Sequence, residues 1–188
     1  IRDKETMQAA IAYAQTGHLC LGTLHANNSY HALNRMINFF PVENRDSLYM
    51  DLSVSLRAII SQRLVKRKDG KLLAAVEVLL NSFHVQDLIE RGDIPALKEA
   101  MEQSMAPGSQ TFEQDLFRLY RSETISLEEA LRNADSPTNL SWLINNEAPA
   151  ITQIEEKPPE DFGFEPSTSN PGGTSYKEFT LSLYDDGA

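Results

Sequence analysis

The sequence is short of cysteine, of long apolar runs and of basic residues. Its single cysteine, Cys20, excludes an internal disulfide framework and a cysteine-rich zinc site, and is compatible with a reducing compartment. No run of about 18 apolar residues and no secretory leader occurs, so we expect no membrane span. Lys and Arg number 17 against 27 Asp and Glu. This balance argues against nucleic-acid binding, which draws on basic clusters.

The acidity is concentrated at the C-terminal end. Residues 147–188 hold nine acidic residues and two lysines, which is −7 of the formal net charge of −10. Prolines, serines and glycines fill much of the rest and leave little apolar surface for a core. We therefore predict a disordered acidic tail over residues 147–188.

The N-terminal part predicts helices around a buried strand. Good helix formers occupy residues 4–16, and Gly17 supplies the stop. The short apolar run 18–24 predicts a buried strand, with Cys20 as an inert core residue. Residues 27–29 offer N-caps for a helix over about 30–39, which ends before Pro41. This order favours an α/β fold with a parallel sheet.

The strongest helical periodicity runs from Arg45 to Leu64. Leucine and isoleucine recur there at spacings of three and four residues, which predicts one amphipathic helix. Asp69-Gly70 then separates two extended runs, which predicts a β-hairpin with a two-residue turn.

Beyond residue 80 the sequence predicts short helices, each with its own start signal. A hydroxyl can accept hydrogen bonds from the first turn, and proline lacks the N–H that would go unused there. The residues that give these signals are Ser82, Pro95, Thr111 and Ser126, the last with Glu129 as a capping box. We predict three parts: an α/β core over 1–80, a helical domain over 81–146 and the tail over 147–188.

A phosphate-binding loop of the form GxxxxGK[ST] is absent from the sequence. The Gly70-Lys71 pair lies in the predicted hairpin and is followed by Leu72. We expect this polypeptide alone not to hydrolyse ATP.

The histidines are His18, His25, His31 and His84. A zinc site of His18, Cys20 and His25 is disfavoured, because His25 lies at the far end of the predicted strand and no carboxylate joins the set. We expect no metal site. His25 follows the carboxyl end of that strand, where open α/β sheets place their ligand crevice. It is the candidate functional histidine, with a structural role as the alternative, whereas His31 is expected to cap or pack.

Several segments in order resemble the type IV pilus retraction ATPases, the PilT/PilU family of the secretion ATPase superfamily. They are IRDKET, TGHLCLGTLHANN, ISQRLVKRKDGKLLAAVEVLLNS, LIERGD and GSQTFEQDL, and they fall within residues 1–145. NFFP, DLS and LRNADS are more similar to the PilU branch. Residues 83–90 keep the apolar spacing of a segment linked to retraction in the main motor but lack its arginine, which fits an accessory motor.

The resemblance implies the C-terminal portion of a RecA-like ATPase domain in a homo-hexameric motor that drives pilus retraction and twitching motility. It implies ATP and Mg²⁺ as cofactors, with most of their ligands upstream of this chain. It also implies a cytoplasmic location, peripheral at the inner-membrane base of the pilus machine. The implied partners are the other retraction ATPase and inner-membrane platform proteins.

The resemblance also assigns site residues. The histidine box of the family maps onto residues 18–27, and His25 is then the residue that faces the nucleotide phosphates or their water. His18 and Asn27 belong to the same box, while Arg2 and Asp3 flank a carboxylate-bearing motif. The chain begins with Ile1 rather than Met, and we expect a C-terminal fragment.

Two other functions stay open. The chain could be a non-catalytic ring-assembly module that joins copies through the predicted helix at 45–64 and the C-terminal helices. It could also belong to a pilus-assembly or type II secretion ATPase of the same superfamily. The assembly-type relatives carry a four-cysteine zinc element, so the single cysteine favours the retraction branch.

Overall fold

A computed structural model describes residues 1–104 and 106–146, so the predicted tail at 147–188 lies outside the described residues. Two short 3-10 turns, Val42–Asn44 and Ile94–Ala96, accompany eight helices and two strands in that part of the chain. In chain order these are α1 Lys4–Gln15, α2 Ser29–Asn38, α3 Arg45–Ser55, β1 Ala58–Lys66, β2 Leu72–Leu80, α4 Phe83–Glu90, α5 Leu97–Glu102, α6 Phe112–Arg121, α7 Leu127–Asn133 and α8 Pro137–Asn146. The division at residue 80 stays a prediction.

The helix starts predicted at residues 27–29, Ser82, Thr111 and Ser126 are confirmed, whereas Pro95 lies in the 3-10 turn Ile94–Ala96 that precedes α5. A side-chain oxygen accepts a hydrogen bond from a first-turn backbone N–H at each of Asn28, Ser82, Thr111 and Ser126. Thr111 and Gln114 exchange both bonds of a capping box. The capping box predicted for Ser126 with Glu129 is wrong, because the Glu129 carboxylate instead accepts the backbone N–H of Lys66 at 2.9 Å. This bond ties α7 to β1.

The single helix predicted from Arg45 to Leu64 is wrong. Helix α3 ends at Ser55, the next residue takes extended backbone angles, and β1 follows from Ala58. The Asn81 side chain donates to the carbonyls of Ser53 and Leu56, at 2.8 Å each, and so satisfies acceptors that a continuing helix would have used. The later isoleucines and leucines keep a helical spacing, but pairing with β2 decides their structure.

The predicted hairpin is confirmed, although its turn is longer than expected. Strands β1 and β2 pair antiparallel, from Ala58 opposite Leu80 to Lys66 opposite Leu72. Arg67 N–H then donates to the Lys71 carbonyl at 2.8 Å, and Gly70 N–H donates to the Arg67 carbonyl at 2.9 Å. Gly70 has φ +85° whereas Asp69 keeps a negative φ. A three-residue loop with one left-handed glycine therefore replaces the two-residue turn.

The strand predicted at 18–24 is wrong for the described residues, in which this segment is extended but unpaired. The side chains of Leu19 and Leu21 are 82% and 89% exposed, and Cys20 is exposed rather than buried. A strand exists through its ladder of hydrogen bonds, and no described backbone supplies one here. The sheet that the described residues form is antiparallel, so the predicted parallel sheet is not found in them.

The inner face of the hairpin and the helices bury two apolar clusters. The first joins α1 to α5 and includes Leu33, Ile37, Leu52, Leu79 and Ile89. The second joins α6 to α8 with the hairpin and includes Val65, Ala75, Phe112, Leu116 and Leu140. Among the described helices the longest, α1, has 12 residues, and none is long and apolar enough to cross a bilayer.

Candidate functional site

His25 ends the extended segment at the edge of an open depression of about 450 Å³. The depression is lined by His25, Ala26, Asn27, His31, Asn34, Arg35, Asn38 and Phe39. Two imidazoles, a guanidinium and three amides thus face one hollow, and its lining holds no carboxylate. Such a lining suits an anionic ligand, because each of these side chains can donate a hydrogen bond.

The backbone turns sharply at His25. Ala26 N–H donates to the Leu24 carbonyl at 3.1 Å, which closes a three-residue turn with His25 at its centre. The Arg35 guanidinium, on α2, donates to the His25 carbonyl at 3.3 Å. The His25 side chain is exposed and makes no hydrogen bond within the described residues. Its two ring nitrogens therefore remain available to a ligand.

His31 is expected to cap or pack, and in the structure Asn28 caps α2 while His31 lies in its first turn and packs there. Its backbone N–H donates to Asn28 Oδ1 at 2.9 Å, and its Nδ1 lies 2.6 Å from the same oxygen. The ring meets Tyr30 edge to face, with 5.4 Å between centroids. These contacts hold the His31 ring in place where it lines the depression.

Arg63 and Asp135 hold the two asparagines that follow His25. Arg63 Nη2 donates to the Asn27 carbonyl at 3.3 Å and forms an ion pair with the Asp135 carboxylate. The other Asp135 oxygen accepts from Asn28 Nδ2 at 2.9 Å. Strand β1 and the α7–α8 connection therefore meet at the start of α2.

Arg63 is itself held in place. Its guanidinium carbon lies 4.0 Å from the centre of the Phe112 ring, and its Nη1 donates to the Asn133 carbonyl at 2.7 Å. Its side chain is 19% exposed. A planar guanidinium that stacks and donates in a fixed fork loses little further freedom when it binds another acceptor.

Glu77, on β2, accepts a hydrogen bond from Ser29, the residue after Asn28. Its Oε1 accepts the Ser29 N–H at 2.6 Å, and the bond is buried. Burial raises the pKa of Glu77 above its usual value of 4.5, and the bonds from Ser29 oppose that rise. Asp135 adds to the rise and Arg63 reduces it. The positive end of α2 also favours a negative charge here.

The structure separates the other residues assigned by resemblance from this depression. Asp3 is the N-cap of α1, where it accepts from the Thr6 N–H and hydroxyl at 2.8 Å each, and the first of these bonds holds the pKa of Asp3 below its usual value. Arg2 is exposed next to it. His18 is exposed, with Nδ1 3.0 Å from the Thr16 hydroxyl. Of the predicted set, His25 and Asn27 line the depression.

Sequence reasoning missed the residues that support His25. A glutamate inside the apolar strand VEVLL and an arginine inside SQRLV are signals of a buried polar contact, because such charges are rarely buried without a partner. Asp135 lies in LRNADS, a segment that indicates the PilU branch but does not by itself predict a site residue. Within residues 1–104 and 106–146, no group of three or more His, Cys, Asp or Glu side chains could hold a metal ion.

Comparisons with known proteins give consistent matches. The family model described as type II/IV secretion system protein matches residues 1–119. The type IV pilus ATPase PilU of Pseudomonas aeruginosa is 48% identical over 145 residues, which are 77% of this chain and 38% of that protein. The retraction ATPase PilT of the same organism is 33% identical over 139 residues, which are 74% of this chain and 40% of that protein.

A solved structure matches as well. The crystal structure of the pilus retraction motor PilT with bound ADP superimposes with a TM-score of 0.68 at 32% identity. The match covers 76% of this chain and 40% of that one. The chain thus spans about two fifths of the length of the relatives it matches.

Proposed function

The chain belongs to the type II/IV secretion system protein family, and from that premise we propose that it is the C-terminal portion of an ATP-hydrolysing motor that drives type IV pilus retraction and twitching motility. The resemblance to the retraction ATPases is confirmed, and the chain is PilU-like. The expected fold class, the C-terminal part of a RecA-like ATPase domain followed by helices, is confirmed too. Activity, cofactors and partners of the whole motor are the proposal.

The observation that carries the proposal is the exposed, unbonded imidazole of His25 beside a depression lined by hydrogen-bond donors. A neutral imidazole donates at one nitrogen and accepts at the other, so it can orient both a phosphate oxygen and a water molecule. Phosphoryl transfer depends on such positioning and on electrostatic stabilisation. We assign His25 to the phosphates or the attacking water, and Asn27 to the same face.

ATP would supply the phosphoanhydride bond, and a PilT structure with bound ADP supports a nucleotide here. The depression offers donors that fit phosphate oxygens and no carboxylate that fits Mg²⁺. Arg2, Asp3 and His18 lie outside the depression, and their part in nucleotide binding stays a proposal from the resemblance alone.

The assembly follows as part of the same proposal. We place the motor in the cytoplasm as a homo-hexamer, peripheral to the inner-membrane base of the pilus machine, with a second retraction ATPase and the platform proteins as partners. The accessory role is supported by the 48% identity to PilU and by residues 83–90, which carry no arginine. The alternative, a ring-assembly module that joins copies through a helix at 45–64 and the C-terminal helices, is weakened, because α3 ends at Ser55 and β1 occupies the second half of that range.

The test replaces His25 by alanine in the intact gene product that contains this sequence. Loss of a hydrogen bond to a charged phosphate costs about 1.5–3 kcal/mol, so we expect kcat for ATP hydrolysis to fall about 10- to 150-fold. His84→Ala is the matched control, because His84 is an exposed histidine on α4 and lies outside the depression. Equal turnover in both variants would remove His25 from the mechanism.

A further inference from the structure

Three consecutive residues after His25 and Ala26 are each bonded to a different distant residue. Arg63 donates to the Asn27 carbonyl, Asp135 accepts from the Asn28 amide, and Glu77 accepts from the next backbone N–H. These contacts cross 36, 107 and 48 positions of the chain respectively. Residues 27–29 are therefore held by β1, by β2 and by the α7–α8 connection at once.

The segment before them depends on this hold. Residues 19–26 have no ladder partner among the described residues. Two hydrogen bonds reach their carbonyls from elsewhere in the described chain: the Ile1 amino group donates to Thr23 at 2.7 Å, and Arg35 donates to His25 at 3.3 Å. A segment with so few hydrogen bonds opens easily, so its end near His25 depends on the residues that follow it. One end follows α1, where the His18 N–H donates to the Tyr13 carbonyl at 3.1 Å. The other end is the group of residues 27–29.

Arg63 and Asp135 are the part of this hold that joins the strands to the helical region. The Arg63 side chain is fixed by the Phe112 ring and the Asn133 carbonyl, in addition to its hydrogen bond to the Asn27 carbonyl. Asp135 follows α7 and reaches Arg63 with one carboxylate oxygen and Asn28 with the other. A shift of α6 or α7 would therefore move Arg63 and Asp135, which hold Asn27 and Asn28 at the end of residues 19–26.

We propose that Arg63 and Asp135 are positioning residues, which set His25 in its working orientation by holding Asn27 and Asn28 and so make the nucleotide reaction depend on the position of α6 and α7. This inference rests on the proposed function. Neither residue touches the nucleotide in this scheme. Their removal leaves the binding donors in place and displaces the imidazole, and a displacement of about 1 Å can cost on the order of 100-fold in rate.

The first measurement requires no catalytic activity. Backbone ¹⁵N relaxation of the intact gene product, isotopically labelled over this sequence, gives the order parameters of residues 25–28, for which a rigid backbone has a value of about 0.85 and a flexible one a value below about 0.6. In Asp135→Ala we expect these order parameters to fall while those of α6 stay unchanged. Asp93→Ala is the matched control, because Asp93 is exposed and its side chain caps no helix. Unchanged order parameters at residues 25–28 in Asp135→Ala would overturn the proposal.

The second measurement uses the intact gene product and separates kcat from KM. We expect Asp135→Ala to lower kcat about tenfold or more with KM for ATP changed less than about threefold, and Asp135→Asn to recover part of the loss, because its amide oxygen still accepts from Asn28. On a His25→Ala background the same Asp135→Ala change should alter kcat less than about twofold. An undiminished effect on that background would show that Asp135 does not act through His25 and would overturn the inference.

The two measurements distinguish failure of the inference from failure of the proposed function. A His25→Ala variant with full turnover removes the assigned role of His25, and with it the kinetic consequence, whatever the order parameters show. Loss of turnover in His25→Ala with an independent, additive loss in Asp135→Ala keeps the proposed function and removes the positioning role. Where Asp135→Ala fails to fold, Asp135→Asn and Arg63→Lys carry the same comparison.

Discussion

Phe112 should carry a large share of the stability of the α6 region. Its side chain is 0% exposed and lies under the Arg63 guanidinium, which is 4.0 Å from the ring centre. Removal of a buried phenylalanine side chain costs about 3–5 kcal/mol, and a partly desolvated cation over the ring adds about 1 kcal/mol. We therefore expect Phe112→Ala to lower the free energy of unfolding by about 4–6 kcal/mol. A domain has about 5–15 kcal/mol in total, so the variant should lose about a quarter or more of its stability.

Denaturant titration of the chain, followed by far-ultraviolet circular dichroism, measures this loss. Phe112→Leu keeps most of the volume but removes the ring face, so we expect about 2 kcal/mol. Phe83→Ala is the matched control, since the Phe83 side chain is 87% exposed and its removal should change stability by less than about 0.5 kcal/mol. Equal losses in Phe112→Ala and Phe83→Ala would refute the placement of Phe112 in the core.

Two further predictions concern a buried carboxylate and two glycines. Burial raises the pKa of Glu77 in the folded chain above its usual value of 4.5. The protonated Glu77 side chain therefore stabilises the fold below pH 4.5, and this stabilisation is lost as pH rises through the raised pKa. Glu77→Gln does not titrate, so its unfolding free energy relative to the natural chain should rise between pH 4 and pH 7.5, and a pH-independent difference would contradict this. Gly92→Ala meets positive φ and a Tyr49 ring atom 2.9 Å from the new Cβ, whereas Gly70→Ala meets positive φ alone. We expect about 1–2 kcal/mol for Gly70→Ala and at least about 1 kcal/mol more for Gly92→Ala in the same titrations, and equal costs would show that the Tyr49 ring yields freely.

The helix starts could be predicted from the sequence because their causes are local. Each cap joins residues three positions apart, for example Ser82 with Val85 and Thr111 with Gln114. Such a contact depends on nothing outside the tetrapeptide. The hairpin is nearly as local, and its error of one turn residue follows from a bulge that the dipeptide Asp69-Gly70 does not reveal.

The prediction of a helix through residues 45–64 failed because periodicity does not say where a helix ends. Leu56 and Ile59 continue the apolar spacing of α3, yet both pack on the same core from different elements. The stop comes from Asn81, which lies 25 residues beyond Leu56 and occupies its carbonyl. A contact of that range leaves no signature in the local pattern.

The candidate site shows the same division. The family resemblance singles out His25, which does line the depression. The expected position of His25 after a parallel strand is not found, because the described residues form no such strand, and its role toward a ligand stays a prediction. Its supporters Arg35, Arg63 and Asp135 could not be found, because their contacts depend on the folded arrangement of α2, β1 and the α7–α8 connection. A charged residue in an apolar strand indicates a buried polar partner, but only the folded structure identifies that partner.

The depression owes its shape to charge at one end of α2 and to apolar packing along its length. Leu33 and Ile37 bury one face of the helix, but apolar burial is non-directional and does not by itself fix how the helix is rotated about its axis. Glu77 removes that freedom, because a buried carboxylate must keep its hydrogen bond to the Ser29 N–H to remain tolerable in the core. Arg35 is on the same helix, so the position of α2 that the Glu77 hydrogen bond fixes also places Arg35 for its hydrogen bond to the His25 carbonyl. A buried charge that costs stability at neutral pH is therefore consistent with a requirement for exact placement of α2 relative to His25.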